Sequence, residues 1–153
     1  MRKRLIGVYD YTVILTLLSV IVSVVGMTFA MDHHFRSAVF CLAFSGFLDA
    51  FDGKVARTKK NRTMDEMLYG IQLDSLADIV CFGAFPAMIC YLVGVRGFWG
   101  CAVLGMYVIC GVIRLSYFNV METNRQSREI QEEKVYHGLP ITSISGILPL
   151  TFL

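Results

Sequence analysis

From Tyr11 to Met31 the chain carries no charged residue. A helix needs roughly 20 mostly apolar residues to cross the hydrocarbon core of a bilayer. Within that core only helices and closed barrels satisfy their own backbone groups. This stretch alone therefore constrains the solvent in which the chain folds. Three more stretches follow: about Phe35 to Arg57, about Ile71 to Val93, and Phe98 to about Val120. A fifth, Gly138 to Leu153, is barely long enough to cross. Composition agrees, since 56% of the 153 residues are hydrophobic, against about 45–50% apolar for a soluble domain. The expected fold is all-α, a polytopic transmembrane helical bundle of about five spans forming one membrane domain over residues 1–153. No small-residue cleavage site follows the first span, so it is expected to stay as an anchor.

The formal net charge is only +2, so no nucleic-acid partner is expected and the position of the charges carries the information. Basic residues cluster at Arg2, Lys3 and Arg4, at Arg57, Lys59, Lys60 and Arg62, and at Arg125, Arg128 and Lys134. The remaining interhelical loops hold only Arg36 and Arg96. Cytoplasmic loops are enriched in Lys and Arg near span ends. The N-terminus and the Arg57–Asp65 and Asn124–Lys134 segments are thus expected inside a cell membrane, with the Asp32–Arg36 and Gly94–Gly97 turns outside. Thr58–Glu66 reads as a tight polar loop on the headgroups, and Val120–Tyr136 as an interfacial helix. Tyr9, Tyr11, Trp99 and Tyr117 suit an aromatic belt. Cys41, Cys81, Cys90, Cys101 and Cys110 lie in apolar stretches without a CxxC pair, and are expected to fill space between helices.

The anomaly is acidic. Asp49 and Asp52 end the second stretch, and Asp74 and Asp78 begin the third. Spacings of three and four residues place each pair on one helix face, and a short connection lets the two faces meet. Ionisable groups inside spans are expensive and usually functional. Four converging carboxylates call for a cation, and hard divalent ions such as Mg²⁺ take oxygen ligands while bridging to substrate phosphates. Two such ions can clamp the attacking and leaving oxygens of a phosphoryl displacement. Gly53 and Ala56 share the face of the first pair, and Gly70 precedes Asp74 by one turn, so a ligand or helix can approach closely. Arg57 adds a fork suited to phosphate.

The pattern Asp49-x2-Asp52-Gly53-x2-Ala56-Arg57, then Gly70-x3-Asp74-x3-Asp78, resembles the signature of the CDP-alcohol phosphatidyltransferases, matching all eight of its fixed positions. The Arg57-to-Gly70 interval is longer than the commonest family spacing, but the family's phosphatidylserine synthase branch has a similar insertion. The resemblance implies attack by a hydroxyl on the β-phosphorus of a CDP-linked lipid, with CMP leaving. It implies that Asp49, Asp52, Asp74 and Asp78 hold Mg²⁺ or Mn²⁺, two ions in all. Asp78 would also serve as base for the acceptor hydroxyl, and Gly53, Ala56, Arg57 and Gly70 would face the CDP moiety.

Three further segments resemble the phosphatidylserine synthase branch: Gln72 through Gly83 with Pro86, Arg114-Leu-Ser-Tyr-Phe-Asn119, and Tyr136-His-Gly-Leu-Pro140. CDP-diacylglycerol and L-serine are then the implied substrates, with glycerol 3-phosphate or an inositol phosphate as the runner-up acceptor. Arg114, Lys134 and His137 are candidate acceptor contacts. Arg114 also reads as a counter-ion to the acids or a snorkelling anchor, and His137 as a cap of the fifth span. Family members usually have six or more spans and pair as homodimers, so a closing helix is expected from elsewhere. A reading of another class is a divalent-cation or proton transporter. It needs ionisable groups through the bilayer depth, whereas the outer halves of these spans are apolar. A third reading is a catalytically silent subunit that keeps the acids for stability.

Overall fold

The computed structural model describes residues 11–56, 63–128 and 141–152, with side chains placed for all of these except residues 11, 12, 52–56, 125–128 and 152. Helices dominate and no strand occurs among the described residues. Helix α1 spans Tyr11–Met31 and α2 spans Phe35–Ala56. Helix α3 runs unbroken over Met64–Val93 and α4 over Gly97–Arg128. A 3₁₀ turn at Ile141–Ser143 leads into α5, Ile144–Phe152. The 21 residues of α1 rise about 31 Å, close to the thickness of a bilayer's hydrocarbon core. Helices α1, α3 and α4 are each long and apolar enough to cross. Helix α2 has similar length, although Arg36 and Asp49 lie within it. The chain is a helical membrane protein.

Helix α3 starts about two turns before the apolar stretch does. Thr63 and Glu66 form a capping box: the Thr63 hydroxyl accepts from the Glu66 N–H at 3.3 Å, and the Glu66 carboxylate accepts from the Thr63 N–H at 3.1 Å. Asp65 and Glu66 also complement the positive end of the helix dipole. The expected loop therefore ends at Thr63 rather than Glu66. The 30 residues of α3 rise about 45 Å, exceeding the hydrocarbon core by nearly three turns. Asp74 and Asp78 lie in the first half of α3, before its π segment. Helix α4 likewise continues past Val120, so the first part of the expected interfacial helix is an extension of the span.

Lipid tails are as apolar as leucine, so helices in a bilayer associate through close packing rather than hydrophobic collapse. Helices α1 and α2 pack most extensively, with Ala30 and Ala38 fully buried near the turn that joins them. A Cβ added to Gly26 of α1 would overlap the Phe85 ring of α3 and approach Cys41 of α2 to 2.8 Å. Leu42, Cys81, Phe82, Phe85 and Ile89 complete the centre of the bundle, with Leu148 of α5 against them. Phe40, Phe47, Phe98 and Ile113 are exposed, as lipid-facing residues should be.

The middle of α3 is not α-helical. Pro86 has no N–H and cannot donate to the Phe82 carbonyl four residues back. Over Ile79–Ala84 the helix widens to a π segment, with the Phe85 N–H bonded to the Val80 carbonyl five residues back. The Phe82 carbonyl accepts a hydrogen bond from the Tyr107 hydroxyl of α4. Gly26→Val is expected to destabilise the bundle by about 1–3 kcal/mol through overpacking. Gly105→Ala, at a site where a Cβ meets nothing within 4 Å, should leave it unchanged. Thermal unfolding in detergent, followed by circular dichroism, measures both.

Candidate active site

Helix α2 delivers Asp49 from its last two turns, and α3 delivers Asp74 and Asp78 from the turns just before the π segment. One carboxylate oxygen from each of the three lies within 4.8 Å of the other two. Asp78 is 8% exposed, the one buried charged residue among the described residues, and Asp49 is partly buried. Two unit charges at such a separation repel by about 3 kcal/mol per pair at an effective dielectric near 20. Three pairs make the fully ionised cluster untenable without a compensating cation or a shared proton. The donor set consists of carboxylates with no imidazole or thiolate, which suits a hard divalent ion. The space beside Gly70, one turn before Asp74, is open: a Cβ there would meet nothing within 4 Å. The three carboxylates therefore fit a hard divalent metal ion.

Of the other residues singled out from sequence, Asp52, Gly53 and Ala56 continue α2 beyond Asp49, but their side-chain surroundings lie outside the described residues. Arg57, Lys134 and His137 lie outside the described residues altogether. Arg114 sits on α4 with its guanidinium carbon 5.5 Å from the centre of the Phe118 ring, a cation–π distance.

The structure adds residues that the sequence pattern did not separate from their neighbours. The Ser75 hydroxyl donates to the Asn119 side-chain Oδ1 at 2.7 Å, joining α3 to α4 directly beside Asp74. Asn119 also lines a cleft of about 360 Å³, with Gln72 of α3 and Ser116, Val120, Thr123 and Asn124 of α4. A polar residue in a span is itself a flag for a cross-helix partner. Which partner it takes, 44 positions away, is a tertiary property.

A family profile of the CDP-alcohol phosphatidyltransferases matches residues 11–153. The chain is similar to a CDP-diacylglycerol–serine O-phosphatidyltransferase of Saccharomyces cerevisiae, at 34% identity over 122 residues, 78% of this chain and 43% of the yeast protein. An enzyme of the same name from Helicobacter pylori is 31% identical over 147 residues, 95% of this chain and 58% of that protein. One from Bacillus subtilis is 42% identical over 93 residues, 60% and 50% of the respective chains. The chain spans about half the length of these curated relatives. No solved structure gives a significant match. With the profile covering all but the first ten residues, and with three of its four aspartates convergent in space, the chain belongs to the CDP-alcohol phosphatidyltransferase family.

Proposed function

We propose that this chain is the catalytic membrane domain of an enzyme that transfers a phosphatidyl group from CDP-diacylglycerol to the hydroxyl of L-serine, yielding phosphatidylserine and CMP. The observation that carries the proposal is the convergence of Asp49, Asp74 and Asp78 within 4.8 Å inside a chain of this family. The curated relatives carry serine phosphatidyltransferase names, which favours serine over glycerol 3-phosphate or an inositol phosphate.

In the reaction the serine oxygen forms a bond to the β-phosphorus of CDP-diacylglycerol. The bond from that phosphorus to the bridging oxygen breaks, and CMP leaves with the electron pair. Asp49, Asp52, Asp74 and Asp78 would hold Mg²⁺ or Mn²⁺, two ions in all. When bound, such ions offset the negative charge that builds on the diphosphate oxygens. Asp78, the buried member, is assigned the proton of the serine hydroxyl. Its position at the deep end of the cluster keeps that proton away from bulk water. Gly53, Ala56 and Gly70 would face the CDP moiety, and Arg57 would pair with its phosphates. Arg114, Lys134 and His137 are the candidate contacts for the serine carboxylate. The active site and the N-terminus face the cytoplasm of a cell membrane, where basic residues flank the spans on the side that bears the acids. A homodimer in the bilayer completes the assignment.

Purified protein in lipid nanodiscs should release CMP from CDP-diacylglycerol when L-serine and Mn²⁺ are present, and fall to background when serine is omitted. Glycerol 3-phosphate or inositol phosphate competing better than unlabelled serine for label incorporation would overturn the acceptor assignment. Asp74→Asn should lower CMP release at least about 100-fold while the protein still inserts, and wild-type turnover in that variant would sink the mechanism.

Chelation with EDTA should abolish turnover, and added Mn²⁺ should restore it. Electron paramagnetic resonance titration should show Mn²⁺ binding to the wild type, weakened at least about 10-fold in Asp49→Asn and Asp78→Asn. Ion flux into liposomes free of CDP-lipid would instead favour a transporter.

A further inference from the structure

Two of the three convergent acids ride on α3, and α4 grips α3 on either side of Asp78. Before it, the Ser75 hydroxyl donates to Asn119 at 2.7 Å. Beyond it, the Tyr107 hydroxyl donates to the Phe82 carbonyl. Ser75 is next to Asp74 and three residues before Asp78, and Phe82 is four residues after it.

The first bond departs from what five other Ser and Thr hydroxyls in the bundle do. Ser19, Thr28, Ser45, Ser145 and Thr151 each donate to a carbonyl three residues back in their own chain segment, at 2.7–2.9 Å. That local bond was open to Ser75 as well, yet its hydroxyl crosses to Asn119 on another helix, a residue that also lines the cleft beside Gln72. The second bond meets a carbonyl that Pro86 has deprived of its usual helical donor. It does so within the π segment, which lies between the acids and the packed anchors Phe85 and Ile89. A π turn uses one residue more per hydrogen bond than an α turn. The rotation of the acids relative to those anchors therefore depends on how this turn is held.

We propose that Ser75, Asn119 and Tyr107 are positioning residues that set the rotation of α3 about its axis, so that Asp74 and Asp78 face Asp49. For its turnover arm this proposal rests on the phosphatidyl-transfer reading above; for its binding arm it needs only the acid cluster. Helix α4 contributes none of the three convergent carboxylates, so on this view it acts on the site as a splint. Small errors of orientation weaken a metal site well before they unfold a helix, as seen where outer partners of metal ligands are removed.

The test uses the purified chain in nanodiscs with Mn²⁺ as probe, read by paramagnetic resonance titration, by thermal midpoint, and by the KM and kcat for L-serine. Ser75→Ala and Asn119→Ala should each weaken Mn²⁺ binding by about 3–10-fold and lower kcat, leaving KM for serine unchanged. The double variant should be no worse than either single one, because both remove the same bond. Ser75→Thr, which keeps the hydroxyl, should restore binding, and Tyr107→Phe, nearly isosteric, should weaken it with little change in thermal midpoint. Unchanged Mn²⁺ affinity in the alanine variants would overturn the proposal. So would additive effects in the double variant, losses that merely track a fallen thermal midpoint, or a rise in serine KM alone, which would make the pair an acceptor contact. Absence of Mn²⁺ binding in the wild type would overturn it together with the metal assignment. The expected order of Mn²⁺ affinities in a protein that turns over no acceptor would support the positioning role and sink only the functional reading.

Discussion

Carboxylates repel one another most where water is scarce, and everything distinctive in this bundle is arranged around three that have been brought within 4.8 Å. The repulsion, about 3 kcal/mol for each ionised pair, is a large fraction of what any membrane domain has to spend on its own stability. An arrangement like this persists only if the fold over-determines it and a cation or a shared proton offsets it. The packing of α1 on α2, the fully buried Ala30 and Ala38, and the close approach at Gly26 supply the first condition. Our functional proposal supplies the second in the form of divalent ions that also engage the diphosphate of the lipid substrate.

The place of the acids along α3 follows from where the helix begins. Because α3 is capped at Thr63, about two turns of helix form before its apolar stretch begins, and Asp74 and Asp78 follow within the first half of the helix. On our functional proposal the acids then lie where a water-soluble acceptor and a lipid-anchored donor can reach the same atoms. The other buried polar groups among the described residues are the hydroxyls of Thr16, Ser19, Ser23 and Ser45. A single group of acids, with only hydroxyls buried besides it, suits a localised reaction site better than a path of ionisable groups through the membrane.

Helix α4 illustrates how a helix can matter to a site without supplying a convergent acid. It is the most exposed of the long spans, yet it reaches α3 through Asn119 and Tyr107 on both sides of Asp78. The π segment, which follows the first contact and contains the second, is a point at which the rotation of α3 is adjustable, and cross-helix hydrogen bonds are the means available in lipid for holding it.

Much of this was legible in the residues themselves. Charge-free apolar length of this extent dictated helices and a bilayer, since a helix satisfies its own backbone hydrogen bonds there, and α1 ends at Met31, where hydropathy places its end. The spacing of Asp49, Asp52, Asp74 and Asp78 put each pair on one face, and the intervening Gly, Ala and Arg pointed to the family. The start of α3 was also legible, in Thr63 and Glu66, although hydropathy drew attention past it to Ile71, because capping is a local polar signal that an apolar window does not see. What only the tertiary structure decided is the partner of each polar side chain: Ser75 with Asn119, Tyr107 with the carbonyl freed by Pro86, Asp49 with the acids of α3. Helical periodicity specifies the face on which a residue lies. Which neighbouring helix meets that face, and at what rotation, depends on the packing of whole helices against one another, and a single strand of sequence contains no local term for it.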